Sequence, residues 1–245
     1  MKQLLIDGDI LIYKVATKFE TETNWGDGIW TLHTDERKCK AGIRRELANL
    51  MLLLDAQDYI VAFSDKINFR KKVMPSYKQN RKEKRKPMLF SLLKQYVIDE
   101  HYGIVFNSLE ADDVLGILAT DVSSPEIEKI IVSIDKDLKQ IPGQIYDGKD
   151  LTVVTKDQGN YWFLIQTLAG DSVDGYSGCP GIGIKTAEKL LNPEVSFVEN
   201  WNILVETYNK KGYSKDEVLQ QARVARILRY DEYDMTQGEP LLWTM

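Results

Sequence analysis

The sequence predicts an α/β protein in which a mainly parallel central sheet is flanked by helices. Over residues 1–157, short apolar runs typical of buried strands alternate with segments whose apolar residues recur at helical spacing. After about residue 158, the helical spacing continues to about residue 230. We therefore predict an α/β core over residues 1–157 and a helical part over residues 158–245.

Short apolar runs mark the strands, and the intervening periodic segments mark the helices. Strands are predicted at residues 2–7, 59–63, 104–106 and 129–134, with a hairpin over residues 144–155. Helices are predicted at residues 10–16, 40–54 and 88–102, between Pro75 and Pro87, and from the acidic residues 110–113 onwards. The turn-rich residues 24–30 are predicted to form a surface hairpin or loop, and residues 231–245 a short acidic tail.

Length and composition are those of a protein with one sizeable core, or a core with an appended subdomain. The 245 residues are 43% hydrophobic, yet no apolar run reaches the ~18 residues of a membrane-spanning helix. The N-terminus lacks a signal-peptide pattern, and Cys39 and Cys179 stand too far apart in the sequence to suggest a disulfide framework. We therefore expect a cytoplasmic protein without a membrane partner.

A strongly basic segment interrupts an otherwise acidic chain. Residues 66–86 hold ten Lys and Arg residues and one acid, Glu83, although the net charge of the whole chain is −5. A basic segment on an acidic body indicates a polyanionic ligand held at one place. A solvated charged helix without a ligand is the alternative interpretation of this segment.

Carboxylates follow three of the predicted strands at the ends where the strands stop. Asp7 and Asp65 each follow one strand, and Asp135 and Asp137 follow a third. In open α/β sheets, ligands bind at the carboxyl ends of the strands. These acids are therefore expected to lie together at one edge of the sheet, near the acidic stretch at residues 110–113.

So many carboxylates at one edge predict bound cations, because repulsion prevents them all from staying ionised without positive charge nearby. Oxygen ligands suit Mg²⁺ or Mn²⁺, and the acids are numerous enough for two ions, the arrangement used for in-line displacement at phosphates. Two histidines and two separate cysteines do not form a zinc site. For residues 110–113 taken alone, a helix start capped by Asn107 is the alternative.

A glycine-rich turn between two predicted helices is the third candidate site, at residues 177–187. Gly181 and Gly183 permit close approach of the backbone to a phosphate, and amides at the start of the next helix supply donors. No strand leads into the turn, and Ile184 separates Gly183 from Lys185, so neither a P-loop nor a nucleotide cofactor is predicted. An ordinary helix–helix turn is the alternative.

Taken together, these segments resemble the flap endonuclease/5′→3′ exonuclease family, which includes the 5′-nuclease domain of bacterial DNA polymerase I. The resemblance covers nearly the whole chain and is strongest to the stand-alone 5′→3′ exonucleases of short-tailed bacteriophages. Its motifs lie, in order, at residues 5–9, 63–70, 77–81, 110–113, 135–138, 170–178 and 225–229. Ordered motifs at matching spacing make the resemblance highly specific.

The resemblance implies a PIN-like 5′-nuclease core, a helical arch at about residues 66–95 and a helix–three-turn–helix motif at about residues 171–192. It implies two Mg²⁺ ions, replaceable by Mn²⁺, and K⁺ at the helix–three-turn–helix motif. The implied metal cluster comprises Asp7, Asp65, Glu110, Asp112, Asp113, Asp135, Asp137, Asp171 and Asp174.

The resemblance also implies which residues contact DNA. Lys78 and Arg81 are expected to be catalytic, through contact with the scissile phosphate. The implied nucleic-acid-binding residues are Arg70, Tyr77, Lys78, Arg81, Gly181, Gly183, Lys185 and Thr186. Whether Tyr77 stacks on a base or packs inside the protein stays open, and Asp9, at a position that is not acidic in many relatives, is assigned no role.

The implied activity is metal-dependent 5′→3′ hydrolysis of double-stranded DNA near a 5′ end or flap, by two-metal in-line attack that leaves 5′-phosphate products. Removal of RNA primers from RNA/DNA hybrids in the host bacterial cytoplasm is a further implication. Three alternatives stay open: a flap endonuclease with little exonuclease activity, a carboxylate ribonuclease with the same core, and a non-catalytic duplex-binding protein.

Overall fold

The computed structural model describes residues 1–81 and 85–245, without the side chain of Arg81, and its architecture follows the predicted α/β class. A six-stranded sheet has the order β5-β4-β1-β6-β7-β8, in which β8 alone is antiparallel to its neighbour. The strands are β1 Lys2–Asp7, β2 Glu20–Asn24, β3 Trp30–Thr34, β4 Asp58–Phe63, β5 Gly103–Val105, β6 Glu128–Val132, β7 Gly143–Tyr146, β8 Leu151–Val154, β9 Tyr233–Asp234 and β10 Glu239–Pro240.

The helices of the described residues flank this sheet or follow it in sequence. They are α1 Gly8–Phe19, α2 Glu36–Leu53, α3 Arg70–Val73, α4 Phe90–Glu100, α5 Ala111–Thr120, α6 Lys156–Ala169, α7 Ile184–Leu190, α8 Phe197–Asn209 and α9 Lys215–Ala225. Among these described helices, none is both long and apolar enough to cross a lipid bilayer.

Strand β1 is the centre of the sheet because its apolar side chains point alternately to two hydrophobic layers. Leu4 and Ile6 pack with α1, α2 and α4 on one face, whereas Leu5 packs with α5 on the other. Both neighbours of β1 run parallel to it, which matches the continuous apolar character of a strand buried on both faces. The carboxyl ends of β1, β4 and β6 therefore meet at one edge.

A second hydrophobic core joins the helices of the C-terminal part. Helices α6, α8 and α9 contribute buried side chains to it, and Met74 and Tyr77 from the basic segment pack into the same core. The tail returns to the α/β core, where Ile227 and Leu228 are buried beside α5. The polypeptide segment after α9 consequently spans both halves of the molecule.

The structure corrects two predicted helices. Between Pro75 and Pro87 the described residues form only a 3₁₀ turn at Gln79–Arg81, because Lys78 has a positive φ of 54° and its amide bonds to the Asp174 carbonyl. The predicted C-terminal helical region to residue 230 ends at Ala225, and residues 226–229 are extended. We call residues 226–229 the C-terminal strap.

The cap of α5 also differs from the one considered from the sequence. The N-cap residue is Glu110, not Asn107, and its amide donates to Asp113 Oδ2 at 3.2 Å. The predicted hairpin or loop at residues 24–30 is confirmed as the turn of the β2–β3 hairpin, and residues 143–154 form the predicted hairpin β7–β8.

Gly170 ends α6 in a backbone conformation that only glycine adopts readily. Its φ and ψ are 69° and 177°, and a Cβ built there would lie 2.3 Å from the Ser177 carbonyl carbon. Gly183, which precedes α7, has a φ of −96° and would hold a Cβ with no atom within 4 Å. The two glycines border the same loop and differ in whether a side chain can be accommodated.

We expect Gly170→Ala to lower the free energy of unfolding by ~2 kcal/mol or more, because it adds both backbone strain and a clash. Gly183→Ala is the matched control and should lower it by no more than ~1 kcal/mol, because alanine is a poorer N-cap residue than glycine but meets no clash there. Chemical denaturation monitored by circular dichroism measures both. Equal stability of the two variants would show that the tight Gly170 turn does not contribute to folding.

Candidate active site

A cavity of about 350 Å³ opens at the edge where β1, β4 and β6 end. It is lined by eight carboxylates together with Lys78 and Lys136. The end of β1 and start of α1 supply two acids, the start of α5 two, the turn after β6 two, and the loop after α6 two. These residues are Asp7, Asp9, Glu110, Asp112, Asp135, Asp137, Asp171 and Asp174.

Burial and mutual repulsion make several of these acids hold protons more tightly than ordinary carboxyls. Burial, Asp9 and Asp135 raise the pKa of Asp7 to about 7, although Ile10 N and Ser133 Oγ donate hydrogen bonds to it. Burial, followed by repulsion from Asp135, likewise raises the pKa of Asp137 to about 7. Burial and the charge of Asp7 raise the pKa of Asp112 well above its usual range. The arrangement is electrostatically unfavourable without added positive charge.

Asp137 has a carboxylate oxygen whose hydrogen-bonding capacity is not satisfied by the described residues. Its Oδ1 is buried and has no hydrogen-bond partner within the described parts of the chain. A buried carboxylate oxygen without a donor is costly to leave in that state. Asp137 lies in the turn after β6, where the Asp135 side chain instead accepts a hydrogen bond from the Asp137 amide at 2.9 Å.

Lys78 neutralises the opposite wall of the cavity. Its Nζ makes an ion pair with Glu110 Oε1 and a second one, at 3.3 Å, with Asp174 Oδ2. Tyr77 Oη donates to Glu110 Oε2 at 2.7 Å and to Asp174 Oδ2 at 3.0 Å. Burial alone would raise the pKa of Glu110, but Lys78 and Arg70 lower it to about 2. Glu110 therefore stays ionised at pH 5, where the raised pKa values of Asp7 and Asp137 keep those two acids protonated.

The placement of Tyr77 favours the packing interpretation over the stacking one. Its side chain is 2% exposed and belongs to the helical core, with its hydroxyl on the two acids of the Lys78 wall. An aromatic face that is covered by protein cannot stack on a base in this conformation. The predicted DNA contact of Tyr77 is contradicted by this burial.

The positions of Arg70 and Asp113 do not agree with the roles predicted for them. Arg70 is 2% exposed and Asp113 0% exposed, and the guanidinium forms a bidentate pair with the carboxylate at 2.6 and 2.7 Å. Asp113 points away from the cavity and does not line it. The structure therefore contradicts a metal-ligand role for Asp113 and a DNA-contact role for Arg70.

Asp9 lines the cavity, whereas Asp65 does not. Asp65 accepts hydrogen bonds from Lys66 N at 2.6 Å and Ser108 N at 2.8 Å and lies outside the cavity lining. Asp9, to which the sequence assigned no role, lines the cavity and accepts from Ser64 N at 3.0 Å. Backbone amides hold the Asp65 carboxylate in the loop after β4, and its membership of the metal cluster stays a prediction.

The glycine-rich turn lies apart from the cavity. Helix α7 begins at Ile184, close to the predicted start near Lys185. Gly181, Gly183, Lys185 and Thr186 are all exposed to solvent, and none of them lines the cavity. The side chain of Arg81 lies outside the described part of the chain.

The acids do not converge into a finished ligand sphere. Within residues 1–81 and 85–245, no three Asp, Glu, His or Cys side chains are arranged closely enough to hold a metal ion as they stand. Their donor atoms are nevertheless all carboxylate oxygens, one of them buried without a partner, which suits a hard divalent cation. The chemistry of this donor set therefore fits a divalent ion.

Comparison with known proteins assigns the chain to a family. A family model described as the N-terminal resolvase-like domain of 5′-3′ exonucleases matches residues 2–161. The exodeoxyribonuclease of Enterobacteria phage T3 is 32% identical, in an alignment that covers 98% of this chain and 92% of that protein. The chain belongs to the 5′-3′ exonuclease family. Membership confirms the resemblance inferred from the motifs and makes the protein a nuclease.

Other relatives extend the same assignment. The exonuclease of Escherichia phage T7 is 31% identical, with 98% of this chain and 92% of that protein covered. The flap endonuclease Xni of Shewanella pealeana is 31% identical over 72% of this chain and 74% of that protein. The phage T5 5′-exonuclease with bound zinc is similar in fold, with a TM-score of 0.55, 15% identity and coverage of 92% and 93%.

The raised pKa values predict how pH acts on the metal-free protein. Between about pH 4 and pH 7 the folded state, in which Asp7 and Asp137 have pKa values of about 7, binds more protons than the unfolded chain. Its free energy of unfolding should therefore fall as the pH rises across this window. In chelator, we expect the Tm at pH 8 to lie several degrees, roughly 4–8 °C, below that at pH 5.5.

Added Mg²⁺ should reverse this trend, because a divalent cation competes with protons for the same carboxylates. The Mg²⁺-induced rise in Tm is expected to be larger at pH 8 than at pH 5.5, as measured by differential scanning calorimetry. An equal rise at both pH values would contradict the assignment of the titrating acids to the ion-binding cavity.

Proposed function

We propose that this protein is a divalent-metal-dependent 5′→3′ exonuclease of double-stranded DNA that also cleaves 5′ flaps. The observation that carries the proposal is the cavity lined by eight carboxylates, in which Asp137 Oδ1 is buried without a hydrogen-bond donor. A binding module that only grips DNA has no use for a cluster of repelling acids. A metal-dependent phosphodiester hydrolase uses such a cluster to hold hard cations beside the phosphate.

Two divalent ions, Mg²⁺ or Mn²⁺, are the proposed cofactors. The acids with raised pKa values, Asp7, Asp112 and Asp137, together with Asp135, would hold one ion near the ends of β1 and β6. Asp171, Asp174 and Glu110 would hold a second ion where Lys78 now lies. When bound, such ions supply Lewis-acid stabilisation of the attacking and leaving oxygens in an in-line displacement with 5′-phosphate products.

Lys78 is proposed as the residue that contacts the scissile phosphate. It lines the cavity and already pairs with two carboxylates there, so its ammonium is close to the proposed ion sites. A positive charge aimed at the phosphate stabilises charge that develops in the transition state. Arg81, three residues further on, is proposed as a second contact by family resemblance alone.

The proposed path of the DNA rests on the distribution of exposed charge. Lys66, Lys71 and Lys72 are exposed on the basic segment that leads into Lys78. On the other half of the molecule, the exposed Gly181–Thr186 turn is proposed to bind the backbone of the duplex, as part of a helix–three-turn–helix motif with K⁺. Residues 158–245 would then hold the duplex while residues 1–157 cut near its 5′ end.

The biological setting is part of the same proposal. Relatives of this chain include phage exonucleases and bacterial flap endonucleases, and the phage T5 flap endonuclease, which is similar in fold, has been solved in a complex with DNA and metal ions. We propose that the protein acts in the bacterial cytoplasm on DNA ends and flaps, and on the RNA strand of RNA/DNA hybrids at primers.

Incubation of purified protein with 5′-labelled and 3′-labelled duplexes, with and without Mg²⁺, tests the proposal. We expect Mg²⁺-dependent release of nucleotides from the 5′ end. The cleavage rates on blunt, recessed, flapped and hybrid substrates then show which substrate is preferred. Absence of Mg²⁺-dependent cleavage on every substrate would refute the metal-dependent nuclease. Cleavage of flaps with little release from blunt ends would favour a structure-specific flap endonuclease.

A further inference from the structure

A buried polar network that the proposed function leaves unexplained lies behind the cavity. Arg70 and Asp113 are at most 2% exposed, and Gln140 is 0% exposed, yet none of the three lines the cavity. Buried polar groups are costly unless they are satisfied, and these three are linked to the backbone of the same segment. That segment is the end of α9 together with the C-terminal strap.

The first link ties the strap to the start of α5. Arg70 Nε donates to Val224 O at 2.9 Å and Arg70 Nη2 donates to Arg226 O at 2.5 Å. Asp113, besides its bidentate pair with Arg70, accepts from Leu228 N at 3.1 Å and from Glu110 N at 3.2 Å. The Asp113 carboxylate thus binds the strap, the Arg70 guanidinium and the start of α5. Glu110 and Asp112, which line the cavity, lie at this same start of α5.

The second link ties the same strap to the turn after β6. Gln140 ends the 3₁₀ segment Lys136–Gln140, which begins directly after Asp135 and contains Asp137. Its Nε2 donates to Ala225 O at 2.7 Å, and its Oε1 accepts from Ile227 N at 3.2 Å. The strap therefore anchors both segments that carry the central acids of the cavity.

We propose that Arg70, Asp113 and Gln140 are positioning residues that use the C-terminal strap as a common frame to hold the two acidic segments in register for metal binding. The inference rests on the proposed function, since the register matters because the acids must converge on ions. It replaces the metal-ligand role for Asp113, and it gives a catalytic consequence to a segment that contributes no group to the cavity.

The two roles for Asp113 predict different patterns of variants. If Asp113 positions α5, then Arg70→Lys, which keeps the charge but loses the planar fork, and Asp113→Asn should both weaken Mn²⁺ binding roughly tenfold or more. Their combination should weaken it by less than the product of the single effects, because both act on one contact. If Asp113 were a ligand, Arg70→Lys, which keeps a positive charge beside Asp113 and Glu110, would weaken Mn²⁺ binding far less than Asp113→Asn.

Lys129→Met is the matched control at the opposite end of α5. Lys129 Nζ donates to Leu118 O at 2.8 Å and Asp121 O at 2.7 Å, so the variant also removes a tether of α5 and should lower the Tm. Its Mn²⁺ affinity should stay within about twofold of wild type, because the loosened end lies away from the acids. A loss of affinity in this variant equal to that of Arg70→Lys would reduce the proposal to general destabilisation and overturn it.

Mn²⁺ affinity is measured by isothermal titration at a temperature below the unfolding transition of each full-length variant. In the metal-free protein, hydrogen exchange of the amides of residues 111–113 should be faster in Arg70→Lys than in wild type and unchanged in Lys129→Met. Should Arg70→Lys fail to fold, Gln140→Met tests the second tether with the same expected loss of affinity and faster exchange at residues 136–138.

Wild-type Mn²⁺ affinity in folded Arg70→Lys and Gln140→Met variants would overturn the inference while leaving the nuclease intact. Failure of the wild-type protein to bind Mn²⁺ would instead refute the proposed function. The two failures are therefore distinguishable in one set of titrations.

Discussion

Replacing Asp137 by asparagine is expected to stabilise the metal-free protein and to abolish its cleavage of DNA. Burial and repulsion from Asp135 raise the pKa of Asp137 to about 7, so at pH 8 the folded protein holds an ionised, partly unpartnered carboxylate. Removing that charge should raise the Tm at pH 8 by a few degrees, about 2–4 °C for each kcal/mol relieved. At pH 5 the carboxyl is already protonated in the folded state, and the gain should vanish.

The same substitution removes an oxygen ligand from the proposed ion site. Cleavage at saturating Mg²⁺ should fall by ~100-fold or more, whereas binding to duplex DNA in Ca²⁺ should persist. Asp150→Asn, at an exposed acid on the β7–β8 hairpin, is the control for the loss of one charge and should leave both quantities unchanged.

A functional acid is distinguished from a structural one when its replacement raises the Tm of the metal-free protein and lowers the cleavage rate. Thermal melts at pH 5 and pH 8 measure the first quantity, and single-turnover cleavage measures the second. A variant that is less stable at pH 8 and still cleaves at the wild-type rate would show that Asp137 is a structural residue.

Replacing Lys78 by alanine is expected to slow cleavage and to tighten metal binding. In the metal-free protein, the Lys78 ammonium pairs with Glu110 and Asp174, so it competes with a divalent cation for their oxygens. Its removal should increase Mn²⁺ affinity, by roughly threefold or more, since a nearby positive charge no longer opposes the ion. Loss of the proposed phosphate contact should slow the single-turnover rate at saturating metal by more than ~10-fold.

Lys72→Ala is the matched control, because it removes one exposed lysine of the same basic segment outside the acidic cavity. It should weaken DNA binding slightly and leave Mn²⁺ affinity and the single-turnover rate at saturating DNA unchanged. A Lys78→Ala enzyme with the wild-type single-turnover rate would remove Lys78 from the chemical step. Unchanged Mn²⁺ affinity would show that its ion pairs do not compete with the metal.

Local patterns in the sequence were sufficient for the strands and for the edge at which the acids meet. Four strands were predicted within two residues of their observed ends, because a buried strand leaves a short apolar run bounded by polar turns. The acids after β1 and β6 were likewise predicted, since parallel strands bring their carboxyl ends to one edge. The basic segment was identified by charge, but its conformation was not.

Residues whose partners are distant in sequence were the ones that the patterns misassigned. Arg70 and Asp113 are 43 positions apart, and Arg70 and Val224 are 154 positions apart. Asp113 belongs to an acidic motif whose other members face the cavity, so nothing local distinguishes it from Asp112. No signal in the sequence marks Gln140, since its importance comes only from its hydrogen bonds to Ala225 and Ile227.

The sequence by itself determined the fold class, the family and the edge of the sheet that carries the acids, because these depend on periodicity and on ordered motifs. Only the tertiary structure decided which acids line the cavity, with Asp9 included and Asp65 and Asp113 excluded. It also decided that Lys78 forms ion pairs with Glu110 and Asp174 on one wall of the cavity. These outcomes depend on side-chain direction and on hydrogen bonds between distant segments, whose free energies are not encoded in any single stretch of residues.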